Sequence, residues 1–241
     1  HCAIIAGKST QAARQTMNVA GMSISIIGAA KSGLAAARSL SESGARIFIS
    51  DIQSEEKLQQ SLARENLTDK VEYEAGGHTE RVLNADFIVL SPGVRPDIPV
   101  LVEAASRNIP VYSEIEVAYR LSKGRRLVVT GSNGKTTTTT LLSLFCREQF
   151  SEVFLGGNIG IPMIEFATKT SANSVQVLEV SSFQLETISE FRPDIAIITN
   201  FFENHLDRYP SYSASIEAKK RIALNMSPDH WLILNADQAQ M

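Results

Sequence analysis

The residues best suited to chemistry are Gly131-Ser132-Asn133-Gly134-Lys135-Thr136-Thr137, set between the apolar run Leu127 to Val129 and a helix-period segment. A strand running into such a turn and then a helix lets backbone N–H groups curl round phosphate oxygens. Lys135 would neutralise the β/γ charge and the Thr136 hydroxyl would take Mg²⁺, so the run reads as an ATP loop. It is shorter than the full phosphate-loop form, with its first glycine at Gly131.

Three further groups could act with it. Glu179 closes an apolar run, and a carboxylate at the carboxyl end of a strand is placed to hold Mg²⁺, cap a helix or face solvent. His205 falls in a loop after the run Ile195 to Thr199, where a structural histidine is the plain alternative. On a helix predicted over Ser213 to Asn225, Ile216, Ile222, Ala223 and Met226 share one face at about 100° per residue. Lys219 falls in the middle of that stripe, Lys220 at its edge, and Arg221 points away. An inward lysine either snorkels to solvent or is neutralised or modified beside a metal.

A second set lies upstream. The run Ser23 to Ile27 leads into Gly28-Ala29-Ala30-Lys31-Ser32-Gly33 and a small-residue helix, a turn that can cradle a pyrophosphate. Asp51 ends the next strand, where a ribose-binding acid would sit, but Ala30 replaces the second glycine of the dinucleotide fingerprint. A structural turn with Asp51 as a cap, an NAD site and a site for another nucleotide diphosphate all remain open.

These sites need strand ends to carry them, and short apolar runs alternate with helix-period segments along the chain, as in parallel βαβ units. Strands are predicted at Ser23–Ile27, Arg46–Ser50, Val71–Glu74, Phe87–Leu90 and Pro110–Tyr112. A second series runs through Arg126–Thr130, Val153–Leu155, Val175–Val180, Ile195–Thr199 and Trp231–Leu234, the last reading as buried. Helices fit at Gly33–Ser43, Pro99–Ser106 and Lys135–Glu148. The polar break Leu121 to Arg126 divides the series, predicting an α/β protein. Residues 22–122 would form a Rossmann-like parallel sheet and residues 123–241 an incomplete ATPase-type unit. Residues 1–21 would be an extension outside the fold, with a natural start at Met17 or Met22. The Gly7-Lys8-Ser9-Thr10 run in it lacks a preceding strand. A sheet stopping at Trp231–Leu234 would lack strands, so the chain is expected to be part of a longer protein.

Composition narrows the class. The 241 residues are 44% hydrophobic and 20% charged, enough for two modest cores. A net charge of −3 with scattered basic residues argues against a nucleic-acid partner. No apolar run approaches the roughly 18 to 20 residues of a membrane span. Two cysteines, Cys2 and Cys146, build no disulfide framework. A cytoplasmic monomer is the expectation.

Taken together, GSNGKTT, GGNIGIP (Gly156 to Pro162), EVSSFQLE (Glu179 to Glu186), NHLDRYPS and EAKKRI, in this order and spacing, resemble the central domain of the Mur ligase family. SPGV (Ser91 to Val94) and IPVYSEIE (Ile109 to Glu116) agree in the first half. GGNIG and SSFQLE are most similar to the branch that adds D-glutamate. The resemblance spans about Ser23 to Asp237. It implies that Gly28, Ala30, Lys31, Ser32, Gly33, Asp51, Ser91, Pro92, Gly93, Asn158 and Ser181 bind UDP-N-acetylmuramoyl-L-alanine, Asp51 at the uracil. It implies ATP on Gly131 to Thr137, one Mg²⁺ on Thr136 and Glu179, and a second served by His205 and a carbamylated Lys219. Lys135, His205 and Lys219 would be catalytic. The implied reaction forms an acyl phosphate from ATP, which the D-glutamate amine converts to an amide during peptidoglycan precursor synthesis. Nothing in the chain corresponds to the family's C-terminal domain, so a non-catalytic nucleotide-binding fragment is the alternative.

Overall fold

The computed structural model describes residues 16–203 and 209–238. Its first parallel sheet holds β1 (Ser23–Ile27), β2 (Arg46–Asp51), β3 (Glu72–Ala75), β4 (Phe87–Leu90) and β5 (Val111–Ser113) in the order β3-β2-β1-β4-β5. Both faces are apolar because both are covered, as a parallel sheet requires. Phe87 and Val89 turn to one core, Ile88 and Leu90 to another. The first core lies under α1 (Lys31–Glu42), α2 (Glu55–Arg64) and α4 (Glu114–Leu121). The second lies under α3 (Pro99–Ser106) and the 3₁₀ turn Glu80–Leu83. Strand order reverses at β1, so the β1–β4 crevice opens at the carboxyl edge, where such sheets take ligands.

The second parallel sheet runs β10-β9-β6-β8-β7. Its strands are β6 (Arg125–Thr130), β7 (Val153–Gly157), β8 (Val175–Glu179), β9 (Ile195–Ile198) and β10 (Trp231–Leu234). Helix α5 (Lys135–Arg147) packs on one face through Cys146, which meets Val175 and Val177. On the other face lie α6 (Ile164–Ala167), α7 (Ser182–Leu185) and α8 (Tyr212–Lys220), in the same continuous core as α1 and α4. The two α/β domains are thus joined by one apolar layer, and the expectation of two parallel-sheet units holds.

Four expectations need correcting. Residues 16–21 are not outside the fold: Val19 is buried in the core shared by α1 and α4, and Met17 N–H donates to Arg120 O at 2.8 Å. The helix predicted to reach Asn225 ends at Lys220 and tightens into a 3₁₀ turn, Arg221–Ala223. Arg221 does not point away: Nε donates to Leu185 O at 2.8 Å and Nη2 to Ile188 O at 3.1 Å, so the guanidinium ties this turn to α7. All four residues of β10 are exposed, because it is an outer strand paired to β9 with its faces uncovered among the described residues. An apolar run alone does not report whether a covering layer is present. Residues 1–15, with the Gly7 to Thr10 run, lie outside the described residues.

Candidate active site

The upstream turn is built on close backbone approach. A Cβ on Gly33 would stand 1.9 Å from Gly28 O, so only glycine lets α1 begin there. Ala30, at the helix N-cap, has φ −82° and ψ −178°, a conformation open to any residue, which is why a second glycine is not needed. Asp51 is buried, its Oδ2 accepting from Ala29 N–H at 2.5 Å and its Oδ1 from Gln53 N–H at 2.8 Å. The acid therefore fixes the turn from the neighbouring strand. From β4, Ser91 donates its hydroxyl to Gly28 O at 2.8 Å. Pro92 and Gly93 complete a turn closed by Val94 N–H to Ser91 O at 3.0 Å. Gly28, Ser32, Gly33, Asp51 and the Ser91 loop thus share one strand-end edge.

In the second sheet, Gly131 to Gly134 lead from β6 into α5, whose first-turn N–H groups have no intrahelical acceptor. Lys135 folds over the loop, donating from Nζ to Gly131 O at 2.9 Å and Ser132 O at 3.0 Å. The loop is held from the end of β9 by residues that carry no motif. Asn200 accepts Asn133 N–H on Oδ1 at 2.9 Å and donates from Nδ2 to Asn133 O at 3.0 Å. Thr199 Oγ1 donates to Asn133 O at 2.7 Å, and Ser132 Oγ donates to Phe202 O at 2.9 Å. The Asn133 amide is therefore engaged within the protein, leaving the helix start as the donor-rich part of the loop. Thr137 is exposed on the first turn of α5.

Glu179, buried at the end of β8, joins this loop to a second one. Its Oε2 accepts from Thr136 Oγ1 at 2.7 Å and its Oε1 from Asn158 Nδ2 at 2.7 Å. Asn158 N–H also donates to Glu179 O at 2.8 Å. Gly157 makes this approach possible: its φ is +96°, and a Cβ there would lie 2.3 Å from Glu179 O. Thr136 Oγ1 and Glu179 Oε2 suit Mg²⁺, whose neighbouring oxygen ligands at ~2.1 Å stand roughly 3 Å apart in an octahedron. Two hard oxygens so placed fit that ion and no soft metal. Ser181 caps α7 in a reciprocal box with Gln184, so its hydroxyl does local structural duty.

Lys219 is buried on the inward stripe and does not snorkel to solvent, while Lys220 is exposed and paired with Glu217. Its Nζ donates to Ser215 Oγ at 2.7 Å. Burial, reinforced by the positive charge of Lys135, holds its ammonium below the usual lysine range. The inward lysine therefore lies within electrostatic reach of Lys135 at the start of α5. His205 lies outside the described residues.

The two domains meet beside these loops. Lys31 Nζ donates to Gly160 O in the GGNIG loop, and Arg38 pairs with Glu165 at 2.9 Å. Below them α4 inserts two buried acids. Glu116 accepts N–H groups from Ser189, Glu190 and Phe191 and pairs with Arg120 at 2.8 Å. Glu114 accepts Ile164 N–H on Oε1 at 2.7 Å, while its Oε2 is buried without a partner among the described residues. Sequence reasoning reached these acids through a motif but assigned them no work; the Glu116–Arg120 spacing of four was the available signal.

Two protein families match the chain: the Mur ligase MurD-like N-terminal domain over residues 22–113 and the Mur ligase middle domain over residues 129–241. A protein of Acidobacterium capsulatum named UDP-N-acetylmuramoylalanine–D-glutamate ligase is 43% identical over 222 residues, 92% of this chain and 48% of the relative. One of the same name from Koribacter versatilis is 44% identical over 223 residues, 92% and 49%. The chain spans about half the length of these curated relatives. Among solved structures, UDP-N-acetylmuramate:L-alanyl-gamma-D-glutamyl-meso-diaminopimelate ligase of Neisseria meningitides superposes with a TM-score of 0.61 at 18% identity, covering 91% of this chain and 73% of that one. A murein peptide ligase of Psychrobacter arcticus gives 0.56 at 17%, covering 90% and 49%. At these identities the structures speak to the fold.

Proposed function

We propose, for a chain that belongs to the Mur ligase family and carries its N-terminal and middle domains, that it forms the UDP-substrate and ATP half of a ligase joining D-glutamate to UDP-N-acetylmuramoyl-L-alanine. The observation that carries this is the string of contacts Lys31–Gly160, Asn158–Glu179 and Glu179–Thr136, which runs from the upstream turn across the domain junction to the ATP loop. A UDP-linked acid seated on the first domain and a triphosphate seated on the second would present their reacting ends to each other along it.

In this reading the division falls at the Leu121 to Arg126 break. The Gly28–Gly33 turn with Lys31 and Ser32 faces the pyrophosphate, Asp51 and the Ser91-Pro92-Gly93 loop frame the nucleoside end, and Asn158 and Ser181 lie towards the acyl end. The α5 N-terminus and Lys135 hold the ATP phosphates, and Lys135 offsets charge as the substrate carboxylate attacks the γ-phosphorus in line. The carboxylate oxygen gains the phosphoryl group and ADP leaves; the D-glutamate amine then attacks the acyl carbon, releasing phosphate and a proton. Thr136 and Glu179 would hold one Mg²⁺, with His205 and carbamylated Lys219 serving a second. Bound there, Mg²⁺ supplies Lewis-acid neutralisation of the phosphate oxygens. The protein's part is orientation and a rigid carboxylate.

Competitive titration tests the substrate class. The chain should bind UDP-N-acetylmuramoyl-L-alanine and be indifferent to NAD. Tighter binding of NAD would overturn the reading.

A further inference from the structure

Beside Asp51, at the same carboxyl edge, three side chains form a closed set that the ligase reading does not use. Ser50 is buried, with Oγ 2.7 Å from Glu74 Oε1 and 2.7 Å from His78 Nδ1. Thr79 donates to the same Glu74 carboxylate, from N–H at 2.9 Å and from its hydroxyl at 2.5 Å. Burial works to raise the Glu74 carboxyl, but the bonds from Ser50 and Thr79 and the charge of Arg81 outweigh it and hold it below its ordinary range. Glu74 is then a carboxylate near neutral pH and can only accept.

That fixes the protons. Ser50 has one hydroxyl hydrogen and three neighbours, Glu74 Oε1 and His78 Nδ1 at 2.7 Å and Gly77 O at 3.2 Å. Giving it to Glu74 leaves only the longest contact, to Gly77 O, between two acceptors, whereas any other assignment opposes lone pairs at 2.7 Å. The Ser50 oxygen then accepts, so His78 must carry its hydrogen on Nδ1. A neutral imidazole protonated on Nδ1 has its lone pair on Nε2. That nitrogen has no partner among the described residues, and the side chain is only half-buried.

We propose that His78 is a specificity-determining residue for the nucleoside end of the UDP-linked substrate, its Nε2 accepting the imide N–H of the uracil base. The inference rests on the UDP-substrate reading above. Uracil presents a donor at N3 where cytosine presents a lone pair, so a fixed acceptor selects uridine and leaves a cytidine analogue with two opposed acceptors. The Ser50–Glu74 pair supplies the fixed polarity. Acidification reverses it, because imidazolium donates from both nitrogens. The charged groups facing His78 are Asp51 from β2 and Glu74 from β3, which favour the imidazolium, with Arg81 from the 3₁₀ turn facing Glu74 in turn. Burial is the larger influence and holds His78 below its usual range, so it is neutral at physiological pH.

Two measurements test this. Long-range ¹H–¹⁵N spectra of the wild-type chain should show His78 as the Nδ1–H tautomer near pH 7.5, and an Nε2–H tautomer would overturn the proposal whatever any variant does. Calorimetry should show that UDP-N-acetylmuramoyl-L-alanine, whose pyrophosphate diester does not titrate near neutrality, binds progressively more weakly as the pH is lowered from 7.5 through the His78 titration that the same spectra follow. His78→Phe should abolish that pH step and the preference over the cytidine counterpart. If the wild type binds the uridine ligand and His78→Phe keeps full selectivity, this inference fails and the ligase reading survives. If the wild type binds no uridine ligand at neutral pH, both fail.

Discussion

Asn158 is bonded to Glu179 twice, by its backbone N–H to the carbonyl oxygen at 2.8 Å and by Nδ2 to Oε1 at 2.7 Å. With Thr136 on Oε2, the carboxylate is gripped from both domain-facing loops and cannot rotate without losing a bond. Groups that orient a metal-binding carboxylate typically contribute 10- to 100-fold in metal affinity. Asn158→Ala should therefore weaken Mg²⁺-dependent nucleotide binding by roughly tenfold or more. Calorimetry with a non-hydrolysable ATP analogue, with and without Mg²⁺, reads it. An unchanged Mg²⁺ dependence would show that Thr136 alone orients Glu179.

Glu114 makes the stability of the domain junction pH-dependent. Burial, with a further push from Glu165, raises its carboxyl from 4.5 to about 7, against the opposing bond from Ile164 N–H. A carboxyl with a raised folded-state pKa holds a proton that the unfolded chain has released, so its contribution is lost as pH climbs from about 4.5 to about 7. The full span is on the order of 3 kcal/mol. Glu114→Gln keeps the acceptor for Ile164 and removes the charge. It should raise the unfolding midpoint of the chain at pH 8 and leave it unchanged near pH 5, as denaturant titrations at the two pH values would show.

The architecture was legible in the sequence because both signals it uses are local. Apolar runs such as Phe87 to Leu90 mark buried parallel strands, and glycine turns at Gly28 and Gly131 mark the strand ends where the proposed sites lie. The inward position of Lys219 was legible through helical phase, whereas its burial was not, since a lysine on such a stripe can also snorkel to solvent. What escaped depends on contacts between residues distant in the chain: Asn200 on Asn133, Glu116 on Ser189 to Phe191, and His78 on Ser50. No periodicity reports where an amide side chain finds its backbone partner. Arg221 was misread because the helix tightens after Lys220, which rotates every later residue about its axis. Trp231 to Leu234 was misread because composition cannot distinguish an inner strand from an uncovered outer one.

Lys219 should react with CO₂. Carbamylation needs the neutral amine, and burial beside Lys135 increases that fraction at any given pH, so the carbamate should build as pH rises through the depressed pKa. In ¹³C-bicarbonate the chain should show a carbamate resonance that disappears in Lys219→Ala and persists in Lys220→Ala, whose side chain is exposed. A signal that vanishes only in Lys220→Ala would reverse the assignment.

The central claim is that one chain seats a UDP-linked acid on its first domain and ATP on its second, at separate but adjoining sites. Sequential calorimetry addresses it most directly: the chain is saturated with UDP-N-acetylmuramoyl-L-alanine and then titrated with Mg²⁺ and a non-hydrolysable ATP analogue. Both should bind, one of each. Lys135→Ala should weaken the second step by about tenfold or more while sparing the first, since it removes a charge-assisted phosphate contact. Displacement of the UDP ligand by the ATP analogue, or equal loss of both steps in Lys135→Ala, would contradict the account.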